Sequence, residues 1–171
     1  ALLAAGKTFG GYSEDLPSIG STVNSAPDVN GKAGYVRRHN PWVNWQVNSP
    51  ATNQLPPSVN MPFTSFPSDY SQLPDVSIVV PNLQNDMHDG TIAQADTWLQ
   101  NNLGAYANWA QTHNSLLIVT WDEDSFASRN HIPTIFSGPM VAQTTNNSTW
   151  TLHNIARTVG DMFGVAPSGS M

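Results

Sequence analysis

A strand–helix–strand pattern in the second half of the chain constrains the fold more than any other feature. Residues 76–80 and 116–120 are short, apolar and rich in β-branched side chains, which is typical of buried strands. Between them, apolar residues recur at helical spacing to about residue 112, and Thr91 with Gln94 has the form of a capping box. The pattern predicts two parallel strands joined by a right-handed crossover, and therefore an α/β fold.

Two further elements follow this unit. Residues 132–136 read as a third strand, and Pro133 places it at a sheet edge or marks its start. Thr151 predicts the start of a last helix with one apolar face, and Gly164 predicts its end. Together the elements predict an α/β fold with a mostly parallel sheet.

The first half of the chain has a different character. Nine prolines between residues 10 and 74 leave no helical or alternating period, yet seven aromatic residues are interleaved with them. A disordered linker would contain fewer aromatic residues. We therefore expect residues 1–74 to form a long, ordered, irregular excursion that walls a substrate site. Residues 75–171 would form the βαβ core, and the two segments together would make one incomplete domain.

Composition excludes several classes of protein. The chain carries six basic and twelve acidic residues, and Arg37 and Arg38 form its only close basic pair, so a groove for nucleic acid is not expected. It has no cysteine, which excludes disulfides and thiolate metal sites. No apolar run approaches the roughly 20 residues of a membrane helix, so no transmembrane segment is expected. Charged residues make up only 11% of the chain, which favours a secreted or periplasmic protein.

Acidic and imidazole side chains follow the predicted strands. Asp86, His88 and Asp89 come after the first strand, while Asp122 and Glu123 come directly after the second. His131 immediately precedes the third strand. The carboxyl ends of parallel strands meet at one edge of a sheet, where α/β proteins bind ligands. Carboxylates with supporting histidines suit a divalent cation such as Ca²⁺, Mg²⁺, Mn²⁺ or Zn²⁺.

Each of these residues also has a structural alternative. Asp122 and Glu123 point to opposite faces if the strand continues, so one would bind the ion directly and the other would support it. Arg38 and His39 lie in a segment that is either a phosphate-binding element or a solvated turn before Pro41. The remaining candidates could instead cap helices or turns, or form structural hydrogen bonds: Asp86, Asp89, His113, Asp124, His131 and His153.

Several ordered motifs resemble one known family. The segments are residues 79–90, 118–124 and 130–136, supported by residues 5–17, 35–42 and 153–158. They resemble the bacterial phosphoesterase family, which includes acid phosphatases and phospholipase C enzymes and belongs to the alkaline-phosphatase-like superfamily. The resemblance implies a partial doubly wound, mostly parallel α/β sheet with helices on both faces. It also implies a metal-dependent hydrolase of phosphoric esters.

The resemblance also implies roles for individual residues. Asp122 and Glu123 would bind a divalent metal ion, with Asp86 and Asp89 as weaker candidates. His88 would act catalytically by contacting the phosphate of a phosphate-ester substrate. Three other side chains would help to bind that phosphate: Arg38, His39 and His131.

The chain departs from the family pattern at its start. Family members have an upstream strand followed by a Glu-Asn metal pair, and then a Ser or Thr nucleophile at the start of a helix. Neither motif is found here, so we expect the nucleophile to lie outside this chain and an N-terminal segment of the same protein to be its partner. The isolated chain should then be inactive. Two alternatives stay open: a non-catalytic module that binds carbohydrate or a partner protein, and an inactive subunit of the same fold.

Overall fold

The structure is a computed structural model that describes residues 2–51, 54–124 and 129–165. These residues form a mixed α/β fold that contains a three-stranded parallel sheet, which confirms the predicted fold class. The strands and helices are β1 Phe9–Ser13, β2 Ser25–Pro27, β3 Ala33–Val36, β4 Asn60–Pro62, β5 Val76–Val80, α1 Ile92–Ala110, β6 Leu117–Thr120, β7 Thr134–Ser137 and α2 Leu152–Met162.

The parallel sheet has the order β4-β1-β5, so its central strand comes from the proline-rich half of the chain. The sequence predicts no strand there, because Gly10 and Gly11 in β1 interrupt the apolar pattern. Gly11 is required by packing, since the indole of Trp42 lies where a Cβ at this position would project. The irregular excursion therefore supplies two strands of the sheet as well as loops around it.

The βαβ unit is confirmed in its elements but not in its pairing. Helix α1 has the predicted capping box, in which Gln94 N donates to Thr91 Oγ1 and Thr91 N donates to Gln94 Oε1. Strand β5 pairs with β1, whereas β6 pairs with β7 in an antiparallel ladder and belongs to another sheet. The prediction that the strands at 76–80 and 116–120 are neighbouring or near-neighbouring parallel strands of one sheet is therefore wrong for the described residues. Each strand takes a partner that its sequence pattern alone does not specify.

Aromatic contacts hold α1 against the excursion. The rings of Phe63 and Trp98 lie 5.2 Å apart, and those of Tyr70 and Tyr106 lie 5.4 Å apart in an edge-on arrangement. The apolar core of the described residues consists of Tyr12, Leu16, Tyr35, Val36, Trp42, Val43, Leu83, Trp98, Leu103 and Ala110.

Burial decreases towards the end of the chain. None of the residues in β6, β7 or α2 is fully buried, although α2 has the predicted apolar face. Leu152 and Met162 on that helix are among the exposed large hydrophobic residues. The predicted end of the helix is supported by Gly164, whose φ of 63° is left-handed. None of the helices within the described residues has both the length and the apolar character needed to span a bilayer.

Candidate functional site

Four of the predicted site residues meet in one cluster. Arg38 and His39 come from the 3₁₀ turn Arg37–His39, and Asp86 and His88 come from the loop after β5. Arg38 Nη2 lies 3.1 Å from His88 Nε2, and His39 Nδ1 lies 3.0 Å from Asp86 Oδ2. The two imidazole rings have their centroids 5.3 Å apart. A guanidinium and two imidazoles thus gather beside one orienting carboxylate, a donor set that suits phosphate oxygens.

Asp86 contacts both histidine residues, His39 through its ring and His88 through its backbone. Its Oδ2 faces His39 Nδ1, while its Oδ1 accepts a hydrogen bond of 2.8 Å from the backbone N–H of His88. Since a carboxylate only accepts, His39 Nδ1 carries a proton and its Nε2 is turned away from Asp86. A guanidinium only donates, so His88 Nε2 accepts from Arg38. The arrangement supports both interpretations of Asp86, as a turn residue and as a member of the site.

A buried polar contact anchors the turn that carries Arg38 and His39. Asn40, the residue after the turn, is 1% exposed and accepts a 2.6 Å hydrogen bond from Ser13 Oγ at the end of β1. Asn40 Nδ2 also donates to the carbonyl of Val36, the residue before the turn. These bonds fix the turn at both ends relative to the central strand. Sequence reasoning assigned no role to Ser13 or Asn40, although both lie in motifs that carry the family resemblance.

Replacing Asn40 with alanine should destabilise the chain by about 2 kcal/mol, because Ser13 Oγ and the carbonyl of Val36 would stay buried without their partner. Thermal melting of the purified chain measures this loss. Asn101 is exposed on α1 and provides the matched control, since the same substitution there should leave the melting temperature within about 2 °C of the parent. Equal melting temperatures for the two variants would contradict the anchoring role.

Glu14 holds the loop that carries Asp86 and His88. Its Oε2 accepts hydrogen bonds from Asn82 N at 2.8 Å and from Asn85 Nδ2 at 3.0 Å. Asn82 is 5% exposed, and its side-chain oxygen accepts from the backbone N–H groups of Gln84 and Asn85. The carboxyl end of β1 therefore shapes the first turn of this loop. The sequence signal was a Ser-Glu-Asp run at the start of the chain, but no strand was predicted before it.

Asp15 also holds this loop, through a hydrogen bond from Asn82. It accepts a 2.6 Å hydrogen bond from Asn82 Nδ2 and has a left-handed φ of 60°. The pKa of Asp15 is raised above its ordinary value, mainly because the carboxyl group is partly buried. The hydrogen bond from Asn82 opposes this rise, and the neighbouring charges of Glu14 and Asp28 add to it. Because the folded state then binds this proton more tightly than the unfolded chain, the contribution of Asp15 to stability falls as the pH rises through its raised pKa.

Glu14 and Asp15 line a cavity. The cavity has a volume of about 270 Å³ and is lined by Glu14, Asp15, Asp28, Asn82, Gln84, Asn85, Gln94 and neighbouring residues. Its three carboxylates outnumber the one basic side chain that also lines it, Lys32, so the cavity disfavours a phosphate group.

The other predicted site residues are not part of this cluster. Asp122, Glu123 and His131 are exposed at the ends of the β6–β7 hairpin. Within the described residues, no group of three or more His, Asp or Glu side chains is arranged to hold a metal ion. Asp89 is exposed in the loop after β5, and its backbone N–H donates to the carbonyl of Leu83. The described residues therefore do not fit a complete metal site.

Two of the alternative structural roles are supported. Asp124 N donates to Asn130 Oδ1, and Asn130 N donates to Asp124 Oδ2, both at 2.9 Å, so reciprocal hydrogen bonds link these two residues.

The ring of His113 is stacked on that of Trp109, with the centroids 4.0 Å apart. Its Nδ1 lies 2.7 Å from the backbone carbonyl oxygen of Trp109. His153 is exposed in the first turn of α2.

Comparison with known proteins gives a consistent result. The model of the Phosphoesterase family matches residues 1–166. A phosphatidylinositol-3-phosphatase of Mycobacterium tuberculosis is 50% identical over 170 residues, which are 98% of this chain and 52% of that protein. A phosphate-repressible acid phosphatase of Penicillium chrysogenum is 29% identical, over 95% of this chain and 40% of its own length.

A third relative agrees with these two. An acid phosphatase of Aspergillus fumigatus is 28% identical, over 94% of this chain and 38% of its own length. The chain thus spans about half the length of the mycobacterial relative and about two fifths of the fungal ones. No solved structure matches the chain significantly.

Proposed function

The chain belongs to the phosphoesterase family, and on that premise we propose that it supplies the phosphate-binding part of a phosphatase active site. The cluster of Arg38, His39, Asp86 and His88 carries this proposal, because it offers several N–H donors on one side of an ordered loop. The substrate would be a phosphate ester. The relatives named above are all phosphatases, which favours monoester hydrolysis over a phospholipase C reaction.

Each member of the cluster has a distinct task in this proposal. Arg38 presents a planar set of donors that binds two phosphoryl oxygens at once. Because His88 Nε2 accepts from Arg38, the proton of the His88 ring is on Nδ1, and that N–H is the third donor. These contacts offset the negative charge that spreads over the phosphoryl oxygens in the transition state. His39, when both of its ring nitrogens carry a proton, can donate the Nε2 proton to the leaving oxygen and become neutral, while Asp86 keeps the hydrogen bond from its Nδ1.

The nucleophile is proposed to come from outside this chain. The relatives are about twice as long or longer, and the family pattern has its Ser or Thr nucleophile and its Glu-Asn pair upstream of the motifs found here. We use the term extended protein for a polypeptide that contains this chain together with the part of the relatives that it does not cover. A secreted or periplasmic location is proposed for the extended protein.

The metal ion stays a prediction. Asp122 and Glu123 are the proposed ligands from this chain, and an ion held by them would act as a Lewis acid toward the phosphate ester. The described residues do not form a complete site for it. The tasks of Arg38, His39, Asp86 and His88 above do not depend on that ion.

The isolated chain should bind inorganic phosphate but should not turn over an aryl phosphate. Titration with phosphate, followed by NMR of the imidazole groups, should shift the signals of His39 and His88 together. His113 serves as the internal control, because it is stacked on Trp109 and should not respond. The extended protein should hydrolyse the aryl phosphate under the same conditions.

Two results would contradict this proposal. Shifts at His113 equal to those at His39 and His88 would show that phosphate binding is not localised. Turnover by the rigorously purified isolated chain would show that a nucleophile lies within it. Thr91 would then be tested first, followed by Ser125 and Ser128, which lie outside the described residues.

A further inference from the structure

The loop that carries Asp86 and His88 contains a backbone conformation that its residue type disfavours. Met87 has a left-handed φ of 77°. Glycine, asparagine and aspartate adopt this conformation readily, whereas a longer side chain such as that of methionine crowds the backbone there. A residue in such a conformation is held in it by its surroundings, and residues of this kind are concentrated in functional sites. Met87 lies between two members of the proposed phosphate-binding cluster.

Packing of the methionine side chain does not explain this conformation. Met87 is half-buried, and it is not part of the apolar core of the described residues. Burial of the side chain therefore offsets little of the backbone cost. What the fold requires at this position is the backbone conformation and not the side chain.

Contacts across the loop require the chain to reverse direction at Met87. Asp89 N donates to the carbonyl of Leu83 at 2.8 Å, so the two ends of the loop lie together. Gly90 packs so closely on the carbonyl oxygen of Gln84 that a Cβ at residue 90 would overlap it. A left-handed residue between the two segments allows this tight reversal. A change of φ at Met87 would pull these contacts apart.

The same conformation places the ring of His88. Asp86 Oδ1 accepts a 2.8 Å hydrogen bond from His88 N, which closes a turn around Met87. His88 Nε2 then lies 3.1 Å from Arg38 Nη2 and accepts from it. The angle φ is the rotation about the N–Cα bond of Met87, so a change to the ordinary negative range would turn His88 as a unit relative to Asp86. Both contacts of His88 would then be lost.

We propose that Met87 is a positioning residue, whose left-handed backbone aims the His88 ring at Arg38 and so leaves His88 Nδ1–H free to donate to phosphate. This inference rests on the phosphate-binding role proposed for the cluster. It predicts an unusual order of substitutions at residue 87. Glycine, which lacks the side chain, should preserve the arrangement, whereas valine, which is apolar but β-branched, should not. A side chain that acted by packing or by touching the substrate would give the opposite order.

Titration of the isolated chain with inorganic phosphate, followed by NMR of the imidazole groups, measures this order. Met87→Gly should keep the Kd for phosphate within about twofold of the parent, because glycine adopts the left-handed conformation without strain. Met87→Val should raise the Kd about 10-fold, because the loop relaxes and the donor on His88 is lost. Met140→Val is the matched control and should leave the Kd unchanged, since Met140 is 50% exposed and lies outside the cluster.

The tautomer of His88 gives a second measurement, which needs no phosphate. Because Nε2 accepts from Arg38, the ring nitrogen signals of the parent and of Met87→Gly should report a proton on Nδ1 at a pH where the imidazole is neutral. In Met87→Val, the ring should show the mixture of tautomers of an unrestrained imidazole. The melting temperatures of these variants should differ by less than about 3 °C, because residue 87 lies outside the core.

Two results would overturn the proposal. One is the parental tautomer of His88 in Met87→Val, and the other is loss of the Nδ1 proton in Met87→Gly. The second result decides the matter even if the valine variant does not fold. If the parent binds no phosphate, the proposed function fails, while the tautomer of His88 still decides the role of Met87.

Discussion

Arg38→Ala should reduce the kcat/KM of the extended protein for an aryl phosphate by about 10²- to 10³-fold, the usual effect of removing a preorganised donor to a developing negative charge. Arg38 reaches His88 Nε2 at 3.1 Å, so its guanidinium lies at the centre of the proposed phosphate-binding cluster. Its exposure means that the loss should not come from unfolding. Steady-state kinetics together with thermal melting measure the two effects separately.

Two further variants test whether the loss of kcat/KM is specific to the guanidinium of Arg38. Arg38→Lys keeps the charge but not the planar pair of donors, so its loss should be intermediate. Arg157→Ala removes another exposed arginine, one that pairs with Asp161 within α2 at 2.7 Å, and should leave kcat/KM within about twofold of the parent. An Arg38→Ala enzyme with parental kcat/KM would show that phosphate binds elsewhere.

Gly11→Ala should be the most destabilising single-methyl change in the described residues of β1. A Cβ at this position would overlap the indole of Trp42 at Cε2, so the indole would have to move. Trp42 is 4% exposed and donates a 2.9 Å hydrogen bond to Asn60 on β4, which a displaced ring would lose. Overpacking and the lost bond together should cost about 3 kcal/mol, a fall of about 10 °C in melting temperature.

The same substitution on α1 provides the control for this prediction. Gly104 lies within the helix, and a Cβ there would meet only the Cγ of Gln100, at 4.0 Å. Alanine should therefore stabilise the chain by about 0.5 to 1 kcal/mol, because it lowers the backbone entropy of the unfolded state and favours the helix. If Gly11→Ala melts at the temperature of Gly104→Ala, the indole does not cover β1 as described.

The elements with the strongest local signals were predictable from the sequence. The β-branched run of β5 and the Thr91–Gln94 capping box act within a few residues, so their patterns are visible without the rest of the fold. Strand β1 was missed because its two glycines have no side chains to form an alternating pattern. The role of Gly11 depends on Trp42, which lies about thirty residues later in the chain.

The candidate site was likewise predictable only in part from the sequence. The residue types at the strand ends predicted a cation site, and the family resemblance implied phosphate binding. Four of the residues named for these roles do meet: Arg38, His39, Asp86 and His88. The sequence did not predict that Ser13 and Glu14 anchor the two segments that carry them. Nor did it predict that the strand before Asp122 belongs to a different sheet from the strand before Asp86.

By itself, the sequence determined the α/β class, the helix starts and the family, because these depend on periodicity, capping and ordered motifs along the chain. Only the tertiary structure decided which strands pair and which side chains meet. Strand pairing is a choice among distant segments of similar propensity, and it is settled by packing such as that of Trp42 on Gly11. The basic cluster exists because residues 38 and 88, fifty positions apart, are brought together by hydrogen bonds to the end of β1.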